Sequence, residues 1–164
     1  MSAAPPPGGA RPELAILIRL PGSGKTSFAR ARLSGHVHVS KDLLPQSSRR
    51  DERQLALVKH ALAAGRSVVV DNINPRIADR APLIGAAREL GAAVVGYVLD
   101  ADVKECLRRN RARQGKARVP DVAIFVNRKR LQPPSAAEGF DALHRVRAAD
   151  GQFIVTSCEP PASK

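Results

Sequence analysis

Apolar positions along the chain follow two rhythms. Uninterrupted short runs occur at residues 14–18, 67–71 and 92–99. They are too short to span a membrane and read as buried strands. Val68-Val69-Val70, apolar throughout, predicts a strand covered on both faces. His36-Val37-His38-Val39-Ser40 alternates instead, predicting a strand that ends at Ser40-Lys41-Asp42. Between these runs the period lengthens to that of a helix. Phe28, Ala29 and Leu33 mark one helix, and Leu55, Val58, Ala61 and Leu62 a second over 51–64, stopped by Gly65. Leu83, Ile84, Ala87 and Leu90 mark a third, with Asn74 expected as cap, Pro75 in the first helical position and a kink or restart at Pro82. Asp102-Val103-Lys104-Glu105 has capping-box spacing and opens a fourth, with Val103, Cys106 and Leu107 inward. Gly115 and Val119-Pro120 break it; a fifth carries Val122, Phe125 and Val126 up to Pro133-Pro134. A last short strand is expected near 152–156. Strands alternating with helices predict an α/β fold, a doubly wound parallel sheet of about five strands with helices on both faces. Its site should lie at the strand carboxyl ends.

The junction after the first run carries the candidate chemistry. Pro21-Gly22-Ser23-Gly24 cannot continue a strand, and Lys25-Thr26-Ser27 opens the helical pattern. Glycine lets backbone N–H groups converge into a nest, and the helix start adds unpaired N–H groups and a positive dipole end. Strand, glycine turn and Gly-Lys-Thr in that order read as a P-loop: Lys25 reaches the β- and γ-phosphates of ATP, and the Thr26 hydroxyl ligates Mg²⁺. The pattern G-x-x-x-x-G-K-[ST] departs at one place, where Arg19 stands for the first glycine.

Composition narrows the picture. At 164 residues and 43% apolar, the chain is one domain, expected over 13–157 between a disordered tail at 1–12 and a polar tail at 158–164. No stretch has membrane length and no signal peptide is visible, which predicts a cytoplasmic protein. Cys106 and Cys158 form no metal or redox motif, and His36 and His38, on one strand face, read as plain strand histidines. The net charge of +12 favours polyanionic partners. Arg108, Arg109, Arg111, Arg113, Lys116 and Arg118 fall within eleven residues with no acid among them, a concentrated anion-binding surface.

The ordered set GSGKT, VSKD, VVVDNINP, RNRARQGKARVPD and PPSAAEGF resembles the P-loop kinase domain of polynucleotide 5′-kinases and their small ATP-binding relatives, over roughly 14–147. That resemblance implies a kinase transferring the γ-phosphate of ATP to a hydroxyl, most specifically a 5′-OH polynucleotide end on single-stranded or end-exposed nucleic acid. Residues 21–27 and Arg109 and Arg113 would hold the nucleotide. Asp42 stands where the family's aspartate takes the proton of the attacking hydroxyl, a role an alcohol nucleophile requires; a helix cap ahead of Leu43 is the alternative. Asp71, at the Walker B-like position, would serve Mg²⁺ or the acceptor, or else cap the following turn. Lid arginines match Arg109 and Arg113, four apart and so on one helical face, within an arginine-rich lid at 108–119. Asn72 and Asn74 would shape the acceptor pocket. With no Trp and one Tyr there is little to stack single-stranded bases, which keeps two rivals open: a small-molecule acceptor (nucleoside, sugar or antibiotic) and a nucleotide-binding module with little catalysis.

Overall fold

The computed structural model describes residues 11–18, 25–100, 102–115, 118–149 and 152–158. Six strands form one sheet in the order β2-β3-β1-β4-β5-β6. They are β1 (Glu13–Ile18), β2 (Val37–Val39), β3 (Val68–Val70), β4 (Ala93–Leu99), β5 (Ala142–Ala149) and β6 (Gln152–Ser157). The first five are parallel, and β6 turns back antiparallel along β5. The helices are α1 (Lys25–Arg32), α2 (Arg50–Ala63), α3 (Ile77–Glu89), α4 (Val103–Arg111) and α5 (Asp121–Arg130).

Strand alternation sorts the core into two layers. Leu14, Ile16 and Ile18 of β1, with Val68 and Val70 of β3, pack against Val58, Ala61 and Leu62 of α2 and Leu83, Ile84 and Ala87 of α3. Ala15, Leu17 and Val69 face the other way, onto Phe28, Ala29 and Leu33 at α1. The central strands are thus covered on both faces, as their unbroken apolar runs require. Phe28 meets Tyr97 at a tilt and Phe153 edge-on beside the α1 layer, at centroid distances of 5.2 and 5.5 Å. Burial, with the Glu13 carboxylate second, raises the Tyr97 phenol above its ordinary pKa.

The sheet differs from the five strands expected, because β5 is an additional strand. Its two buried apolar residues, Leu143 and Val146, are three apart and face opposite core layers, so they show no period-2 strand face and match a helical spacing instead. The antiparallel edge strand β6 makes the sheet mostly rather than wholly parallel. Helix α3 starts at Ile77 rather than Pro75 and runs on through Pro82 without a restart; the Pro82 ring points to solvent. Leu90, expected to pack, is the exposed residue that closes α3, and Ala86 is buried in addition. On α5 it is Ile124 that is buried, against Cys106, whereas Val122, Phe125 and Val126 are exposed. Arg11 and Pro12, assigned to the tail by composition, are tied to the sheet: the Pro12 carbonyl accepts from Ala93 N–H at 2.9 Å, and Arg11 reaches Asp141 at 3.9 Å. Cys158, placed in the opposite tail, donates its N–H to the Leu143 carbonyl at 2.8 Å. The remaining tail positions lie outside the described residues.

Candidate functional site

β1 and β3 are neighbours, yet β1 leads into α1 on one face and β3 into α3 on the other. Connections that part in this way open a crevice at the strand carboxyl ends. The loops after β2 and β3 meet there. Residues 19–24, which follow β1 and include Arg19, Pro21, Gly22, Ser23 and Gly24, lie outside the described residues, as do the Lys25 and Thr26 side chains. The backbone of Lys25 does open α1, and Ser27 is exposed in its first turn.

The loop after β3 is the best-built part of the crevice. Asp71 extends the ladder, donating its N–H to the Val39 carbonyl at 2.8 Å, and is only 6% exposed. Its carboxylate lies on the α1 side, where Oδ2 accepts from His38 Nε2 at 2.9 Å. His36, two residues earlier on the same face, pairs with Glu13 at 3.1 Å. Asn72 bridges two elements, accepting from the Lys41 N–H at 2.9 Å through Oδ1 and donating to Gln54 of α2 through Nδ2. Asn74 stands in the left-handed region at φ 47°, so it is not the expected helix cap. Its buried carboxamide donates to the Leu17 carbonyl near the end of β1 at 2.9 Å.

Asp42 follows β2 in a 3₁₀ turn, Lys41–Leu43. Ser40 is the cap of that turn, its Oγ accepting from the Asp42 N–H at 3.2 Å, so the capping alternative for Asp42 is taken by its neighbour. The Asp42 carboxylate is exposed and has no hydrogen-bond or ion-pair partner among the described residues. Because Lys41 is held by Asn72, the Asp42 turn and the Asp71 loop are parts of one rim.

The arginine cluster is organised differently from its sequence reading. Helix α4 ends at Arg111, and Arg113 lies beyond it in a turn closed from its N–H to the Asn110 carbonyl at 3.1 Å. Arg109 and Arg113 therefore do not share one helical face. The cause is Asn110, fully buried, whose carboxamide clasps Val119 in both directions at 2.7 and 2.9 Å and pulls the chain back onto α5. Gly115 takes the positive φ of 63° that this reversal needs. Acids flanking the cluster also pair with it: Glu105 holds Arg108 at 2.5 Å and Arg109 at 2.9 Å, and Asp121 holds Arg111 at 3.1 Å. The hydrogen bond from Arg108 keeps the Glu105 carboxyl below the usual range. Arg113 and Arg118 have no side-chain partner among the described residues.

A cavity of about 260 Å³ opens beside α4 at the carboxyl ends of β4 and β5. Leu99, Val146 and Phe153 give it apolar walls, and Asp100, Asp102, Glu105 and Arg109 its polar ones.

Sequence reasoning missed the knot behind this site. Arg80 is fully buried and pairs with Glu138 at 2.8 and 3.1 Å while donating to the carbonyls of Asn74 and Gln132. Glu138 also accepts from the Ser135 N–H at 3.0 Å. The signal was present as Ser135-Ala136-Ala137-Glu138, a capping-box spacing, but nothing in it pointed to an arginine 58 positions earlier.

A mostly parallel, doubly wound sheet with a P-loop sequence between β1 and α1 defines a P-loop nucleotide-binding α/β domain. A family model described as an AAA domain matches residues 14–134, and the chain belongs to that family. Among curated proteins it is 28% identical over 140 residues to a bifunctional polynucleotide phosphatase/kinase of Schizosaccharomyces pombe, covering 82% of this chain and 33% of that protein. The chain thus spans about a third of the length of the curated relatives it matches. Among solved structures, Chaetomium thermophilum Kti12 in complex with ADP-AlF3 superposes with a TM-score of 0.67 at 19% identity, over 84% of this chain and 90% of that one. A gluconokinase from Sinorhizobium meliloti gives 0.59 at 21% identity, over 87% and 86%. At these identities the structural likeness is one of fold.

Proposed function

We propose that the domain is an ATP-dependent phosphotransferase that moves the γ-phosphate to an alcohol, with a 5′-OH polynucleotide end as the preferred acceptor. The observation that carries this reading is the shared rim: Asn72 ties the turn bearing the exposed Asp42 to the loop bearing Asp71, beside the strand that leads into Gly24-Lys25-Thr26. An exposed carboxylate without a described partner suits a base that must receive a hydroxyl, while a buried, hydrogen-bonded one suits a fixed ligand.

In this reading Lys25 and residues 21–27 cradle the triphosphate and Asp42 accepts the acceptor's proton. Asp71 is a hard oxygen donor facing the α1 side of the crevice, which fits Mg²⁺; with Thr26 it would hold the ion, and the bound ion would neutralise charge on the phosphates. Three carboxylates line the cavity beside α4, so it suits the base and ribose rather than the phosphates. Arg109, on its rim, would swing from Glu105 to the phosphates, joined by Arg113 as the 108–119 lid closes. The polynucleotide acceptor is supported by the net charge of +12 and by the activity named for the curated relatives. The scarcity of aromatic residues favours a small-molecule acceptor as the second reading.

The test is transfer from γ-labelled ATP with Mg²⁺ to 5′-OH DNA and RNA oligonucleotides, with Lys25→Ala and Asp42→Asn alongside. Labelled ends lost in both variants support the reading. Unlabelled ends with intact ATP binding point to a small-molecule acceptor or to a module with little catalysis.

A further inference from the structure

In the sequence His36 and His38 read as ordinary strand histidines, yet one of them touches the crevice. His38 pairs with Val69 in the β2–β3 register, and Asp71 continues β3 two residues on. Residues two apart on a strand share a face, so the imidazole of His38 sits diagonally beneath the Asp71 carboxylate on the α1 side. The two are 2.9 Å apart, with Asp71 almost fully enclosed and His38 at the rim. His36 makes the comparison: it occupies the same face, but its partner is Glu13 at the opposite end of β1 from the crevice.

We propose that His38 is a positioning residue for Asp71: its Nε2–H holds Oδ2, fixing the plane of the carboxylate that faces the magnesium-nucleotide. The inference rests on the proposed role of Asp71 at the ion. A donor fixed on the neighbouring strand sets the plane of this enclosed carboxylate before the ion arrives. Outer partners of this kind are worth about 10- to 100-fold in metal affinity. Edge strand β2 is only three residues long, and its end is pinned by the Asp71 N–H to Val39 carbonyl bond, so imidazole and carboxylate are held by one short ladder.

The experiment is a Mg²⁺ titration of binding of a non-hydrolysable ATP analogue to the full chain. It compares the parent with His38→Leu, His38→Gln and Asp71→Asn, and each variant is melted separately. His38→Leu should raise the Mg²⁺ midpoint about 10-fold or more while leaving metal-free analogue binding unchanged. His38→Gln, which keeps an N–H donor, should restore most of the loss. A parental midpoint in His38→Leu, with a shifted one in Asp71→Asn, overturns the positioning role alone. An unshifted midpoint in Asp71→Asn overturns the metal reading of Asp71, and the inference with it. Equal losses with and without Mg²⁺, tracking a lowered melting temperature in both His38 variants, would show His38 to be structural only and also overturn it.

Discussion

Asp42 and Asp71 are both aspartates after short parallel strands, but their surroundings differ. Asp42 is exposed on a 3₁₀ turn capped by Ser40; Asp71 is enclosed and held by His38. Asp42→Asn should leave ATP affinity nearly intact and lower transfer by about 100-fold or more, read from single-turnover rates beside equilibrium binding. The knot behind them is a stability element. Glu138→Gln leaves the buried Arg80 charge without its counter-ion, and denaturant unfolding should show a loss of about 3–5 kcal/mol. Replacing both residues with apolar ones of similar size should cost much less. At the surface, burial pushes the Asp79 carboxyl up, but hydrogen bonds from the Arg76 side chain and backbone outweigh it and its pKa falls below the ordinary value. A lowered folded-state pKa gives stability that is full above the ordinary carboxylate range and lost as pH drops through the folded value. Arg76→Ala should therefore narrow the gap between melting temperatures at neutral pH and in acid, with its effect vanishing at the acid end.

At the scale of elements, what could be read from the sequence depended on whether a signal was local. The strand and helix that flank the P-loop sequence, the triple valine of β3 and the Asp102 cap of α4 are written in adjacent residues, and the structure has β1, α1, β3 and the capped α4. β5 was not legible, because its buried residues face two different layers. Nor was the break between Arg109 and Arg113, because the residue that causes it, Asn110, acts on Val119 nine positions away. Burial on α5 was equally hidden: four apolar residues offer two faces, and only packing against Cys106 selects Ile124. Asn110→Ala removes both bonds to Val119 at a fully buried site. It should raise amide exchange across 103–130 by the equivalent of about 1–3 kcal/mol while the sheet stays protected. Exchange over 108–119 should slow when ATP analogue and Mg²⁺ are added; unchanged protection would count against a lid.

For the molecule as a whole, the charge of +12 is less concentrated at the arginine cluster than its sequence suggests, since Glu105 and Asp121 engage three of the arginines. If nucleic acid is the acceptor, the logarithm of oligonucleotide affinity should fall linearly with the logarithm of salt concentration, the slope reporting the number of phosphates engaged. A small-molecule acceptor would leave that slope near zero. The knot of Arg80 and Glu138 has one more consequence, for where the folding unit stops. The family match ends at 134, yet Glu138, Phe140 and the whole of β5 lie past it, and Phe140, Leu143 and Val146 are buried. A chain cut at that border would keep the P-loop sequence and the arginine cluster and still strand a guanidinium in the core beside an open sheet edge. The stretch that carries the family likeness and the stretch that shares one packed core end at different places here, and excision experiments should follow the second.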